Sequence, residues 1–76
     1  MYVAQDTANR IKTIAKIRKI STGEMLADCE LNKNTLSSML SRGSWLQANS
    51  LARIADYLDC SVDFLLGRTD NPNINK

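Results

Sequence analysis

Apolar positions recur at helical spacing in five stretches of this chain. Ile11 and Ile14 are followed by Ile17 or by Arg18, whose long stem can pack as an apolar side chain. They predict a first helix over about residues 6–18. Ile20 lies just past its end, placed to fold back onto the core. "STGE" at Ser21–Glu24 has the form of a capping box, in which Ser21 accepts from the Glu24 amide while the Glu24 side chain reaches back to the Ser21 amide. Met25, Leu26 and Cys29 then line the inner face of a second helix over about residues 22–29, barely two turns long, which only packing can hold. Leu31 and Asn32 repeat the start signal as staple and N-cap. Leu36, Met39 and Leu40 form the inner face of a third helix over about residues 33–41, closed by Gly43 as a left-handed cap. Leu51, Ile54, Ala55 and Leu58 mark a fourth helix over about residues 48–58. Ser61 caps a fifth, with Asp63 in its first turn and Phe64 and Leu65 as core anchors, and Gly67 stops it. No stretch alternates with period two, so the chain reads as all-α.

Only about three residues separate the second and third helices, so the two must cross steeply, as in a helix-turn-helix. With Leu36, Met39 and Leu40 facing inward, the third helix presents Lys33, Asn34, Ser37, Ser38 and Ser41. A plain solvent face would favour Glu, Lys, Gln and Ala, which support a helix better. This face is short, rich in hydroxyls, and has no carboxylate between Lys33 and Arg42. Short side chains permit close approach to another surface, and the lack of acids makes that surface tolerant of phosphate. The DNA major groove admits a helix, and Asn, Lys and Ser can each hydrogen-bond base edges there. A protein-binding surface fits the pattern about as well.

Composition narrows the classes. The 76 residues allow one domain, expected at residues 1–69, with a polar, flexible tail at 70–76. No apolar run could span a membrane and the N-terminus has no signal-peptide core, so a cytoplasmic protein is expected. Cys29 and Cys60 fall in apolar helical patterns, as reduced core thiols do, and no histidine is present to complete a zinc site. The net charge of +2 is small, but residues 1–23 carry Arg10, Lys12, Lys16, Arg18 and Lys19 against Asp6 alone. That imbalance suits a polyanionic partner and equally a solvated helix face. There is no phosphate-binding loop, paired carboxylates or nucleophile with a base, so neither an enzyme nor any cofactor, metal or small-molecule ligand is expected.

"RIKTIAKIRKISTGEML", "LNKNTLSSMLSRG" and "SLARIADYLDCSVDFLLGRTD" together resemble the lambda-repressor-like helix-turn-helix family, the Xre/Cro type of phage and bacterial regulators. The likeness covers about residues 7–69 and implies a compact five-helix domain with the helix-turn-helix at helices 2 and 3. It also implies that the third helix reads DNA, with Lys33, Asn34, Ser37 and Ser38 facing bases and Thr35 nearer the backbone. Three positions depart from the family pattern. Thr22 stands where many members carry Gln, Leu26 where Ala is common, and Glu30 where a Gly is usual in the turn.

Further phosphate contacts are expected from Arg10, from Thr22 and Gly23 at the start of the second helix, from Arg42 and Ser44, and from Asn49 at the start of the fourth. Trp45 and Leu46 read either as loop anchors or as a dimer contact. Tyr57 and Phe64 read as core. The expected function is a phage- or prophage-type repressor that binds double-stranded operator DNA as a homodimer on an inverted repeat. The alternative is an antitoxin-like or other protein-interaction module that keeps the fold without reading DNA.

Overall fold

The computed structural model describes residues 2–70, and residues 71–76 of the expected tail lie outside the described residues. Five helices follow one another: α1 (Ala4–Ile17), α2 (Thr22–Asp28), α3 (Thr35–Arg42), α4 (Ala48–Leu58) and α5 (Val62–Leu66), with no strand among the described residues. The fold is the all-α, lambda-repressor-like arrangement. α1 packs against α3 and α5, and α4 packs against α5 and α2. Ile11, Met25, Met39, Ile54, Leu58 and Leu65 meet at the centre, fully buried, and draw all five helices onto one core. No helix here is long and apolar enough to cross a membrane.

α1 begins two residues earlier than its spacing predicts, because Ala4, Thr7 and Ala8 are buried as well. These residues are small or polar, so a count of large apolar positions passes over them. At the other end the choice between Ile17 and Arg18 is settled. Arg18 is half-buried, while Ile17 is 68% exposed. Ile20 folds back against the core as expected. Tyr57 departs from its core assignment: it lies at the surface, where its hydroxyl donates to an Asp28 carboxylate oxygen at 2.8 Å.

Every helix is followed by a residue in the left-handed region, but only two of these are glycine, Gly43 and Gly67. The other three are Lys19, Glu30 and Asp59, at φ of 59°, 59° and 56°. After four of the helices the next amide turns back to a carbonyl five residues earlier: Ile20 to Ala15, Leu31 to Leu26, Cys60 to Ala55 and Arg68 to Asp63, at 2.8–3.0 Å. This is the Schellman closure, which satisfies carbonyls that a helix end otherwise leaves open. Ile20, Leu31 and Cys60 then turn into the core. A side chain in the left-handed region costs about 1–2 kcal/mol, so at these three ends the closing bond and the apolar contact must outweigh that strain.

Candidate nucleic-acid interface

The Ser21 hydroxyl accepts from the Glu24 amide at a long 3.4 Å, and the reciprocal bond of the expected capping box is not formed among the described residues. Thr22 and Gly23 therefore open α2 with Thr22 half-buried and Gly23 exposed. α2 closes at Cys29, and Glu30 makes the left-handed turn. Asn32 does not cap the third helix directly. Its side-chain oxygen accepts from the Asn34 amide at 2.8 Å, and its carbonyl accepts from the Thr35 amide at 3.0 Å and the Thr35 hydroxyl at 2.6 Å. An Asx turn thus precedes the helix. α3 starts at Thr35, two residues later than expected, with Asn34 as its uncapped boundary. Lys33 and Asn34 stand on an exposed turn in front of α3 rather than on its first helical turn.

Beside α3 runs an open groove of about 650 Å³. It brings together Asn34, Ser37 and Ser38, three of the four expected base-facing residues, with Trp45 and Leu46 of the following loop. Thr35, Arg42 and Ser44 border it too. Lys33 stands outside this set. Ser41 donates its hydroxyl to the Ser37 carbonyl at 2.8 Å, and Thr35 is occupied by Asn32, whereas the hydroxyls of Ser37 and Ser38 bond no other described residue. No carboxylate occurs between Glu30 and Asp56, and Lys33 and Arg42 are exposed without an ion pair among the described residues. The surface can therefore donate and accept hydrogen bonds, carries only positive charge, and is rimmed by short side chains. Asn49 lies exposed in the first turn of α4, whose N-cap Gln47 makes no side-chain bond, so the amides there also remain open.

A short, donor-rich helix following a tight turn, on a five-helix core, is the geometry of a DNA-reading module. Residues 10–71 match the Cro/C1-type HTH DNA-binding domain. The chain belongs to that family. It is accordingly a DNA-binding regulator by its domain. Neither the curated proteins nor the solved structures include a match to the chain.

In this Cro/C1-type domain several cations serve the fold and stay away from the groove. Arg10 is half-buried, with its guanidinium 5.6 Å from the centre of the Phe64 ring, a cation–π contact. It also lies against Gly67, where an added Cβ would come within 3.3 Å of its Nε. Arg18 donates from Nη1 to the carbonyls of Leu58 and Asp59, at 2.9 and 2.8 Å, and pairs with the Asp59 carboxylate at 3.8 Å. Arg53 does the same at the end of α2, reaching the Cys29 carbonyl at 3.5 Å and the Glu30 carboxylate at 4.0 Å. Three arginines thus sit at the negative ends of three helices, where a cation is favoured. Sequence periodicity gave no sign of the Arg18 and Arg53 roles, because each joins elements distant along the chain.

Gln5 is a further residue that the sequence did not single out. Its side-chain amide lies so close to Gly43 that an added Cβ there would come within 3.1 Å of Nε2, and this packs α1 onto the end of α3. Both cysteines are free and buried, and burial is the leading cause that raises each thiol above its ordinary value of 9.0. Tyr57 is raised as well, chiefly by its bond to Asp28, which stabilises the protonated hydroxyl.

Proposed function

We propose that this chain is a sequence-specific repressor that binds a two-half-site operator as a homodimer and excludes RNA polymerase by occupancy. The observation that carries this reading is the groove beside α3, in which amide and hydroxyl groups converge without any carboxylate. α3 enters the major groove with Asn34, Ser37 and Ser38 toward base edges, and Lys33 reaches in from the preceding turn. Thr22, Gly23, Thr35, Arg42, Ser44 and Asn49 hold phosphates around it. Arg10 lies with its guanidinium over the Phe64 ring, which holds α5 on α1 and leaves its in-plane donors able to join them. Two-fold symmetric partners suit an inverted repeat, and a homodimer is the arrangement we assign.

The test is selection of binders from a random duplex library at about physiological salt, where non-specific attraction is suppressed. The expected outcome is an inverted repeat whose half-sites lie about 10 bp apart or a multiple of that. Absence of any enriched sequence, with the protein folded, would remove the reading. A protein partner recovered in fixed ratio after nuclease treatment would then identify an interaction module instead.

A further inference from the structure

We infer that Trp45 is a base-reading residue whose indole recognises the methyl group of a thymine in the duplex that α3 enters. The inference rests on the reading of the chain as a sequence-specific DNA binder. Trp45 is the sole tryptophan of the chain and lies 44% exposed in the loop directly after α3. Unlike Ile17, which is more exposed still, the ring lies beside the groove of α3, and that location gives its exposed face something to meet. The indole lines the same groove as Asn34, Ser37 and Ser38, so a base edge that enters the groove meets a surface the indole shares. Asn34, Ser37 and Ser38 are short and polar, and Met39 is buried, so the indole is the large exposed apolar side chain among the lining residues. Leu46, half-buried, continues that apolar surface toward the core.

The occupant follows from the chemistry of the duplex. With no acid between Glu30 and Asp56, and with Arg42 on the rim, the groove suits a polyanion. The apolar feature that a base pair presents in the major groove is the thymine C5 methyl group. An indole face can cover that methyl, while the hydroxyls of Ser37 and Ser38 take the polar edges beside it. Cytosine, which lacks the methyl, would leave the ring against water.

The experiment uses the duplex enriched by library selection. Each thymine in turn is replaced by deoxyuridine, which removes only the methyl, and affinity is measured for the wild-type chain, Trp45→Ala and Trp45→Phe. The wild type should lose about four-fold at one thymine of each half-site, the worth of one buried methyl-sized group. Trp45→Ala should bind the thymine and deoxyuridine duplexes equally, and Trp45→Phe should retain part of the difference. More than half of Trp45 is buried, so Trp45→Ala should lower the melting temperature, and the thymine response is therefore read as the ratio of affinities for the two duplexes within each folded variant. A wild type indifferent to every replacement would overturn the inference, as would a Trp45→Ala variant that still senses the same thymine. So would a Trp45→Ala variant that weakens self-association and leaves the thymine response unchanged, since Trp45 would then belong to a dimer contact. Failure of the library selection itself would count against the sequence reader as a whole, whereas failure of the thymine scan on an enriched duplex removes only the role of Trp45.

Discussion

The two sides of this small domain use their arginines in opposite ways. On the α1, α4 and α5 side, Arg10, Arg18 and Arg53 are committed within the molecule, to the Phe64 ring or to the carbonyls and carboxylates at helix ends. On the α3 side, Lys33 and Arg42 stand exposed within a stretch, residues 31–55, that holds no carboxylate. Charge counted along the sequence points the other way, since the excess of basic residues falls in residues 1–23. Lys12, Lys16 and Lys19 on and just after α1 are exposed and as free of ion pairs among the described residues as Lys33. The distinction therefore lies among the arginines, with Arg42 left without an internal partner beside the unbonded hydroxyls of Ser37 and Ser38. An arginine that already holds a helix end has much less to offer a phosphate.

That contrast can be broken at its strongest point by opening the core. Ile54→Ala, at a fully buried position on α4, should cost about 2–5 kcal/mol by urea unfolding, through lost apolar contact and the cavity left behind. Any variant that remains folded should keep its base preference. The opposite behaviour is expected of Asn34→Ala and Lys33→Ala. Each should leave the melting temperature unchanged and relax sequence preference by roughly 1–3 kcal/mol for a lost bidentate contact, read as the ratio of affinities for specific and random duplexes.

The two classes of arginine give the sharpest test. Arg18→Ala removes two bonds to carbonyls and a partly exposed ion pair, and should destabilise by about 1–2 kcal/mol without altering the salt dependence of DNA binding. Arg42→Ala should leave stability unchanged and flatten the log–log salt slope by about 0.9 for one phosphate contact. Equal effects of the two substitutions on both measurements would erase the distinction between committed and free cations.

Smaller effects are expected at the turn. Glu30→Gly relieves a left-handed side chain at the price of greater chain entropy, and loses only a long surface ion pair with Arg53. The net expectation is a gain of about 0.5–1 kcal/mol, seen as a raised melting temperature. Gly43→Ala should go the other way, since it adds a Cβ in the same backbone region and against Gln5. The buried thiols set a last, weak effect. Their raised values mean that the unfolded chain loses its thiol protons first, so stability should fall as pH rises past the ordinary thiol value of 9.0. Replacing both cysteines with alanine should lower stability at all pH values but reduce the steepness of that alkaline decline.

Much of this molecule was legible in its residues. Large apolar side chains at helical spacing, with Ser21, Gly43, Ser61 and Gly67 as local stop and start signals, are short-range features, and they were enough to place five helices and the helix-turn-helix. The outward face of α3 followed by subtraction, because the inward residues of a helix determine the others. Three matters were beyond spacing and propensity. Ile17 or Arg18 could each have turned inward, and packing against the end of α4 chose Arg18. The start of α3 moved to Thr35 because Asn32 found bonding partners within its own turn, an outcome that propensity alone does not decide between a helix cap and an Asx turn. The division of cations into committed and free could not be read locally at all. It depends on which helix ends come within reach of which arginine, and for Arg18 and Arg53 those partners lie on other helices, brought near only when the core closes.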